Sequence, residues 1–84
     1  MTYTHRNKGV CSSSVSFDID DNGIVSNVRF IGGCNGNTQG VARLAEGRHA
    51  DELIAALRGI RCGMRTTSCP DQLAQGIEEA LKKS

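Results

Sequence analysis

The 84-residue chain changes its hydrophobic period once, at Gly32-Gly33-Cys34-Asn35-Gly36-Asn37, and that change constrains the fold more than any other feature. Before it, Val15, Phe17 and Ile19 alternate, a turn follows at Asp20-Asp21-Asn22-Gly23, and Ile24, Val28 and Phe30 line one face of a second run. Alternation of period two around a Gly-containing turn is a hairpin signature. A short strand from Thr2 to His5 is expected to add an edge. After the change, Val41, Leu44 and Ala45 predict a helix stopped at Gly47, and Leu53, Ile54 and Leu57 a second helix stopped at Gly59. Leu73, Ile77 and Leu81 recur every four residues and predict a third helix. It opens at Pro70, whose missing NH is harmless in a first turn. Strands first and helices after predict one α+β domain over 1–84. An antiparallel hairpin or three-stranded sheet is followed by three helices packed on one face.

Composition restricts what such a domain can do. With 38% hydrophobic and 4% aromatic residues its core is small, and a chain this short benefits from a staple. A formal charge of +1, with Arg and Lys scattered and no aromatic interleaving, argues against nucleic acid as a partner. The first twenty residues hold no apolar signal-like run, and no stretch approaches the length of a membrane span. The expected location is the cytoplasm, where four cysteines read as metal ligands or redox thiols rather than as a disulfide framework.

Each cysteine falls at an element boundary. Cys11 precedes the hairpin, Cys34 separates the last strand from the first helix, Cys62 lies in a loop, and Cys69 stands before Pro70 as the expected N-cap of the third helix. A thiol is a poor acceptor for first-turn NH groups. A thiolate is a better one, and the helix dipole favours negative charge there, so Cys69 is expected to be ready for reaction or for a metal. Structural free cysteine is usually a small hydrophobe inside an apolar repeat, and none of the four is so placed. Glycines flank three of them, in KGVC, GGCNG and CGM, as loops gathering thiolates around one ion require. The C-x6-C spacing of Cys62 and Cys69 is not a zinc-ribbon knuckle, so the fold itself would have to assemble a site. Metal binding, thiol redox chemistry and cysteines without a site all remain open on these features.

Other signals are weaker. Asp18-Ile19-Asp20-Asp21-Asn22-Gly23 copies the opening of a calcium loop, but position twelve, which must be a bidentate Glu, is Arg29. GGCNGNTQG fits neither phosphate-loop pattern. His5 and His49 are expected to be solvated, as is the helix face carrying Glu78, Glu79, Lys82 and Lys83, with pairing at i,i+4. No Ser/His/Asp set suggests a hydrolase, and no catalytic residue is assigned.

Thr67-Ser68-Cys69-Pro70-Asp71, together with FIGGCNGN and GIRCG, resembles the signature of the TSCPD-domain family of small four-cysteine proteins, over nearly the whole chain. Members occur alone and attached to ribonucleotide reductases. The resemblance implies metal binding through the cysteines and a reductase as the protein partner. A wider resemblance is to NifU-like iron-sulfur scaffolds, which implies a NifU-like fold and maps Cys11, Cys34 and Cys69 onto the three cluster cysteines. The scaffold's Asp two residues after the first cysteine is Ser13 here, its His before the third is Ser68, and Cys62 has no counterpart. Four thiolates, Cys11, Cys34, Cys62 and Cys69, suit a closed structural site, with Zn2+ the expected ion and an iron-sulfur cluster the rival. The expected function is a metal-binding module tied to ribonucleotide reductase. The alternatives are an iron-sulfur scaffold or carrier, and a thiol-disulfide redox partner acting through Cys62 and Cys69. Eighty-four residues with this core are too few to enclose a radical generator and a nucleotide site, so the ribonucleoside-diphosphate reductase reaction would attach to the chain only through domain similarity.

Overall fold

A computed structural model describes residues 1–10, 12–32, 35–61 and 66–83. Three strands come first: β1 (Thr2–Arg6), β2 (Ser12–Ile19) and β3 (Ile24–Gly32). The rest of the chain forms α1 (Asn35–Ala45), β4 (Arg48–His49), α2 (Ala50–Leu57) and α3 (Cys69–Lys83). The strands make one antiparallel sheet in the order β1-β2-β3-β4. The helices cover one face: α1 packs on β3, α3 on β1 and β2, and α2 on α3 and β4. The α+β class and the edge strand are as expected. Strand β4 is an addition: its two residues, paired with Ile24 and Val25, are too short to carry a period. Among the described residues, no helix is long and apolar enough to cross a membrane.

The hairpin turn uses the acidic run for local bonding. Asp20 accepts from the backbone NH groups of Asn22 and Ile24, both at 2.9 Å. The Asp18 carboxylate accepts from the Thr2 hydroxyl at 2.5 Å and from Asn27 Nδ2 at 2.8 Å. Both carboxylates of the calcium-like D-x-D are thus committed to the sheet and its turn.

Strand β3 departs from simple alternation. The inward residues are Val25 and Val28, three apart, with Phe30 partly buried, while Ile24 lies at the rim beside His49. The extra residue is absorbed by a bulge, where Ser16 pairs with Arg29 but Asp18 with Ser26. Asn27 sits in it with φ 53°, a conformation that Asn tolerates better than most residues.

The core joins Val15, Phe17 and Ile19 of β2 to Val25 and Val28, under Ala45, Ala50, Leu53, Leu73, Ile77 and Ala80. On α3 the inward column is Leu73, Ile77 and Ala80, and the expected Leu81 is 38% exposed. At 3.6 residues per turn, position i+8 lies about 80° off the face and i+7 only about 20°. Leu44 likewise faces solvent, leaving Val41 and Ala45 as the packed residues of α1. Gly76 lets β1 approach α3, because a Cβ there would stand 2.8 Å from His5 Cβ.

Candidate functional site

The first turn of α3 is built differently from the expected thiol cap. Ser68, not Cys69, is the N-cap: its carbonyl accepts from Gln72 N at 2.8 Å, and its Oγ accepts from Asp71 N at 3.2 Å. A hydroxyl is the better acceptor, and it stands one residue earlier. Cys69 is therefore the first helical residue, and Pro70 follows within the turn where no NH is missed. The segment Ser68-Cys69-Pro70-Asp71 is an [ST]-x-x-[DE] helix start, a signal present in the sequence and overshadowed by the thiol.

With the cap supplied by its neighbour, the Cys69 sulfur is directed elsewhere. Cys69 is a free thiol, 6% exposed, and its Sγ lies 3.0 Å from Ser12 Oγ at the start of β2. Ser12 Oγ in turn accepts from Asn7 Nδ2 at 2.8 Å, and Asn7 N donates to Ser13 O at 2.9 Å. Ser12 pairs across the sheet with Gly32, the last residue of β3. Cys11, Cys34 and Cys62 lie outside the described residues. Among the described residues, no group of three or more His, Cys, Asp or Glu side chains is placed to hold a metal ion.

Asp71 carries the second function of this turn. It is 2% exposed, and its carboxylate gathers the NH of Gly59 at 2.7 Å, Arg58 at 3.2 Å, Gln75 Nε2 at 3.0 Å and the Thr67 hydroxyl. Burial pushes the carboxyl up, but the bonds from Gly59, Thr67, Gln75 and Arg58 outweigh it and hold the group below the usual carboxylate range. The chain between α2 and α3 is thereby tied to the helix start at both of its described ends. Gly59, with φ 89°, presents its NH to Asp71 from a backbone shape that side-chain-bearing residues rarely adopt.

Gln72 extends the network to the N-terminal strand. Its Oε1 accepts from Lys8 N at 3.1 Å and lies 2.9 Å from His5 Nε2, while its Nε2 donates to Thr67 Oγ1 at 3.0 Å. The other ring nitrogen of His5 is 2.8 Å from Glu79 Oε1, which also accepts from Tyr3 OH at 3.0 Å. His5 is thus a buried connector between β1 and α3, not the solvated residue expected in the N-terminal arm. Its contacts are 67 and 74 residues away, beyond any local pattern. His49, part-exposed, accepts from Asp51 N at 3.1 Å and caps α2. Glu78 binds Arg58 at 2.7 Å, so this acidic pair of α3 holds other elements instead of forming a free polar face.

In chemical terms the turn offers a buried sulfur facing a hydroxyl, and around it a polar frame linking β1, β2, the end of α2 and α3. Every residue of the signature has a physical role there. Thr67 bridges Gln72 and Asp71, Ser68 caps, Cys69 meets Ser12, Pro70 shapes the turn, and Asp71 anchors the preceding loop. No curated protein and no solved structure matches the chain. The family model of the TSCPD domain matches residues 1–81. The chain therefore belongs to the TSCPD domain family, which is associated with ribonucleotide reductases.

Proposed function

We propose that this domain is a metal-binding module that holds one zinc ion through Cys11, Cys34, Cys62 and Cys69, and that it works in the cytoplasm alongside a ribonucleotide reductase. The observation that carries the reading is the contact of Cys69 with Ser12. Ser12 directly follows Cys11 in the chain, and its partner Gly32 precedes Cys34 by two residues. This closeness along the chain is what supports the reading for Cys11 and Cys34. The surroundings of Cys69, the one described donor, also support it. A buried sulfur with a hydroxyl beside it suits a thiolate ligand, whose charge needs such a partner once it leaves water.

Zinc bound there would tie the segments carrying the four cysteines together. In a four-thiolate site it has no open position, and its contribution is to folding. The protein's own part is to hold Cys69 rigid: Ser68 fixes the helix start, and Asp71 fixes the chain leading into it. The domain contributes a stable surface to a larger reductase system, with no chemistry of its own.

Elemental analysis of anaerobically purified protein tests the reading. One equivalent of zinc and a colourless solution are expected. Visible absorption with iron and sulfide would establish an iron-sulfur scaffold or carrier instead. Metal-free protein that takes up none on addition would leave thiol-disulfide exchange with a reductase as the remaining role.

A further inference from the structure

We propose that the outer edge of β1 pairs with the same edge of a second copy of this chain, in antiparallel register about Thr4. The inference involves none of the cysteines and stands apart from the metal reading. It starts from the phase of the β1–β2 ladder. Met1 N donates to Ile19 O at 3.0 Å, Ile19 N donates to Met1 O at 2.8 Å, and Asn7 N donates to Ser13 O at 2.9 Å. In an antiparallel pair, residues that exchange such bonds alternate with residues that do not. With Tyr3 opposite Phe17 and His5 opposite Val15, the odd-numbered residues of β1 are the ones bonded to β2. Thr2, Thr4 and Arg6 therefore aim their NH and C=O groups the other way, where the sheet has no further strand. All three residues are exposed, and these outward groups have no partner among the described residues.

Little in β1 defends that edge. Exposed edges are usually blunted by Pro, Lys, a bulge or a very short strand. Strand β1 has five residues, neither Pro nor Lys, and a continuous register with β2. The charges say which strand fits it. On the sheet face opposite the helices, Asp18 stands across from Thr2 at one end and accepts its hydroxyl at 2.5 Å. Asp18 also binds Asn27, and its carboxylate keeps lone pairs for a further donor. At the other end stands Arg6, which makes no ion pair among the described residues. A two-fold axis at Thr4 sets Thr4 opposite its own copy and Thr2 opposite the second copy's Arg6. Two strand spacings, about 10 Å, then separate the Cα atoms of Asp18 and that arginine, a span the two side chains close. Both ends make the same pair, so the edge complements itself as a closed two-fold interface requires. The helix layer accommodates the pairing. Because α3 lies over both β1 and β2, the two α3 helices stand about 10 Å apart, within the packing distance of helices.

Sedimentation equilibrium of the full chain, with reductant present so that no disulfide links copies, tests the proposal. Wild type is expected to form a reversible dimer with a dissociation constant on the order of 10 to 100 µM, as suits an interface built on one short strand. Thr4→Pro removes an outward NH and no bond to β2. It is expected to keep the fold by circular dichroism and to weaken the dimer by roughly 10-fold or more. In a mixture of isotope-labelled and unlabelled chains, a nuclear Overhauser contact between the Hα atoms of Tyr3 and the second copy's His5 is expected, since this register makes them a closely spaced pair. Wild type that stays monomeric at about 1 mM overturns the proposal and leaves the edge to a strand from another protein. A dimer unaffected by Thr4→Pro, or one lacking the Tyr3–His5 contact, overturns it as well, because another surface then joins the copies. If Thr4→Pro fails to fold, Arg6→Glu takes its place: it sets two carboxylates together at each end, and a dimer as strong as wild type overturns the proposal.

Discussion

Replacing Asp71 with Asn is the most direct test of how the helix start holds the domain together. The substitution keeps the side chain's shape and removes its charge. Of the four donors around the carboxylate, the Thr67 hydroxyl can rotate and the Gln75 amide can turn, so both re-pair with an Asn amide. The Gly59 NH and Arg58 cannot adapt and lose a charged acceptor. A hydrogen bond to a charged group contributes about 1 to 1.5 kcal/mol more than a neutral one; the Gly59 NH loses that difference, while the exposed Arg58 pair is screened by solvent and adds nothing to the sum. The expected cost is about 1 to 1.5 kcal/mol at pH 7, a fall in Tm of about 4 to 12 °C for a domain of this size. The pH dependence supplies a sign. The folded carboxyl lies below its ordinary value, so its stabilisation is complete above about pH 4 and is lost as pH falls through the folded value. Asn does not titrate there, and the gap between the two proteins should close on acidification. Urea unfolding followed by circular dichroism at pH 7, 5 and 3 measures this. A variant melting within about 2 °C of wild type at pH 7, or a gap of constant size down to pH 3, would refute the assignment of Asp71 as a charged anchor.

Gly76→Ala sets helix propensity against packing: alanine favours the helix by about 1 kcal/mol, but its Cβ would stand 2.8 Å from His5 Cβ, an atom fixed to the backbone of β1. Net destabilisation of about 1 to 2 kcal/mol is expected in thermal melts, and a stabilised variant would show that β1 yields. Ser68→Ala removes the hydroxyl cap and is expected to cost about 1 kcal/mol by urea titration, with metal content unchanged. Cys69→Ser gains no cap, since Ser68 already supplies it, so loss of metal by elemental analysis together with a lower Tm is expected. A Cys69→Ser protein that keeps one equivalent of zinc would remove Cys69 from the site.

The parts of the fold that repeat were legible, and those that occur once were not. Val15, Phe17 and Ile19 alternate, and Leu73 and Ile77 share a helical face, so the hairpin and α3 follow from period alone. The bulge at Asn27 moves the inward set of β3 to Val25 and Val28, a local insertion that an alternation rule does not foresee. Strand β4 exists because α1 ends at a turn that returns Arg48 and His49 to β3, a tertiary cause. At the candidate site, the position of Cys69 at the start of α3 was readable from Pro70, but its role there was misassigned by one residue. Its partner Ser12 is 57 residues away and carries no distinguishing signal. The same holds for His5, whose acceptors come from α3. Cys11, Cys34 and Cys62 are outside the described residues; connectivity to Ser12 and Gly32 supports the proposal for Cys11 and Cys34, and Cys62 enters it through the family resemblance alone.

The first turn of α3 has a consequence for the order in which the domain assembles. Ser12 lies 57 residues from Cys69, Lys8 lies 64 from Gln72, and Gly59 lies 12 from Asp71. Closing such loops has an entropic cost that the contacts recover only once the intervening chain is in place. The β2–β3 hairpin, joined by its short turn, and the amphipathic body of α3 can meet through Phe17, Leu73 and Ile77 without any of those bonds. If the signature turn closes after that meeting, unfolding begins by opening it and freeing the end of α2. Interactions formed after the rate-limiting step change how fast a protein comes apart rather than how fast it forms. On that order the residues that define the family act as a latch, and Ser68→Ala should raise the unfolding rate and leave the refolding rate unchanged in stopped-flow measurements.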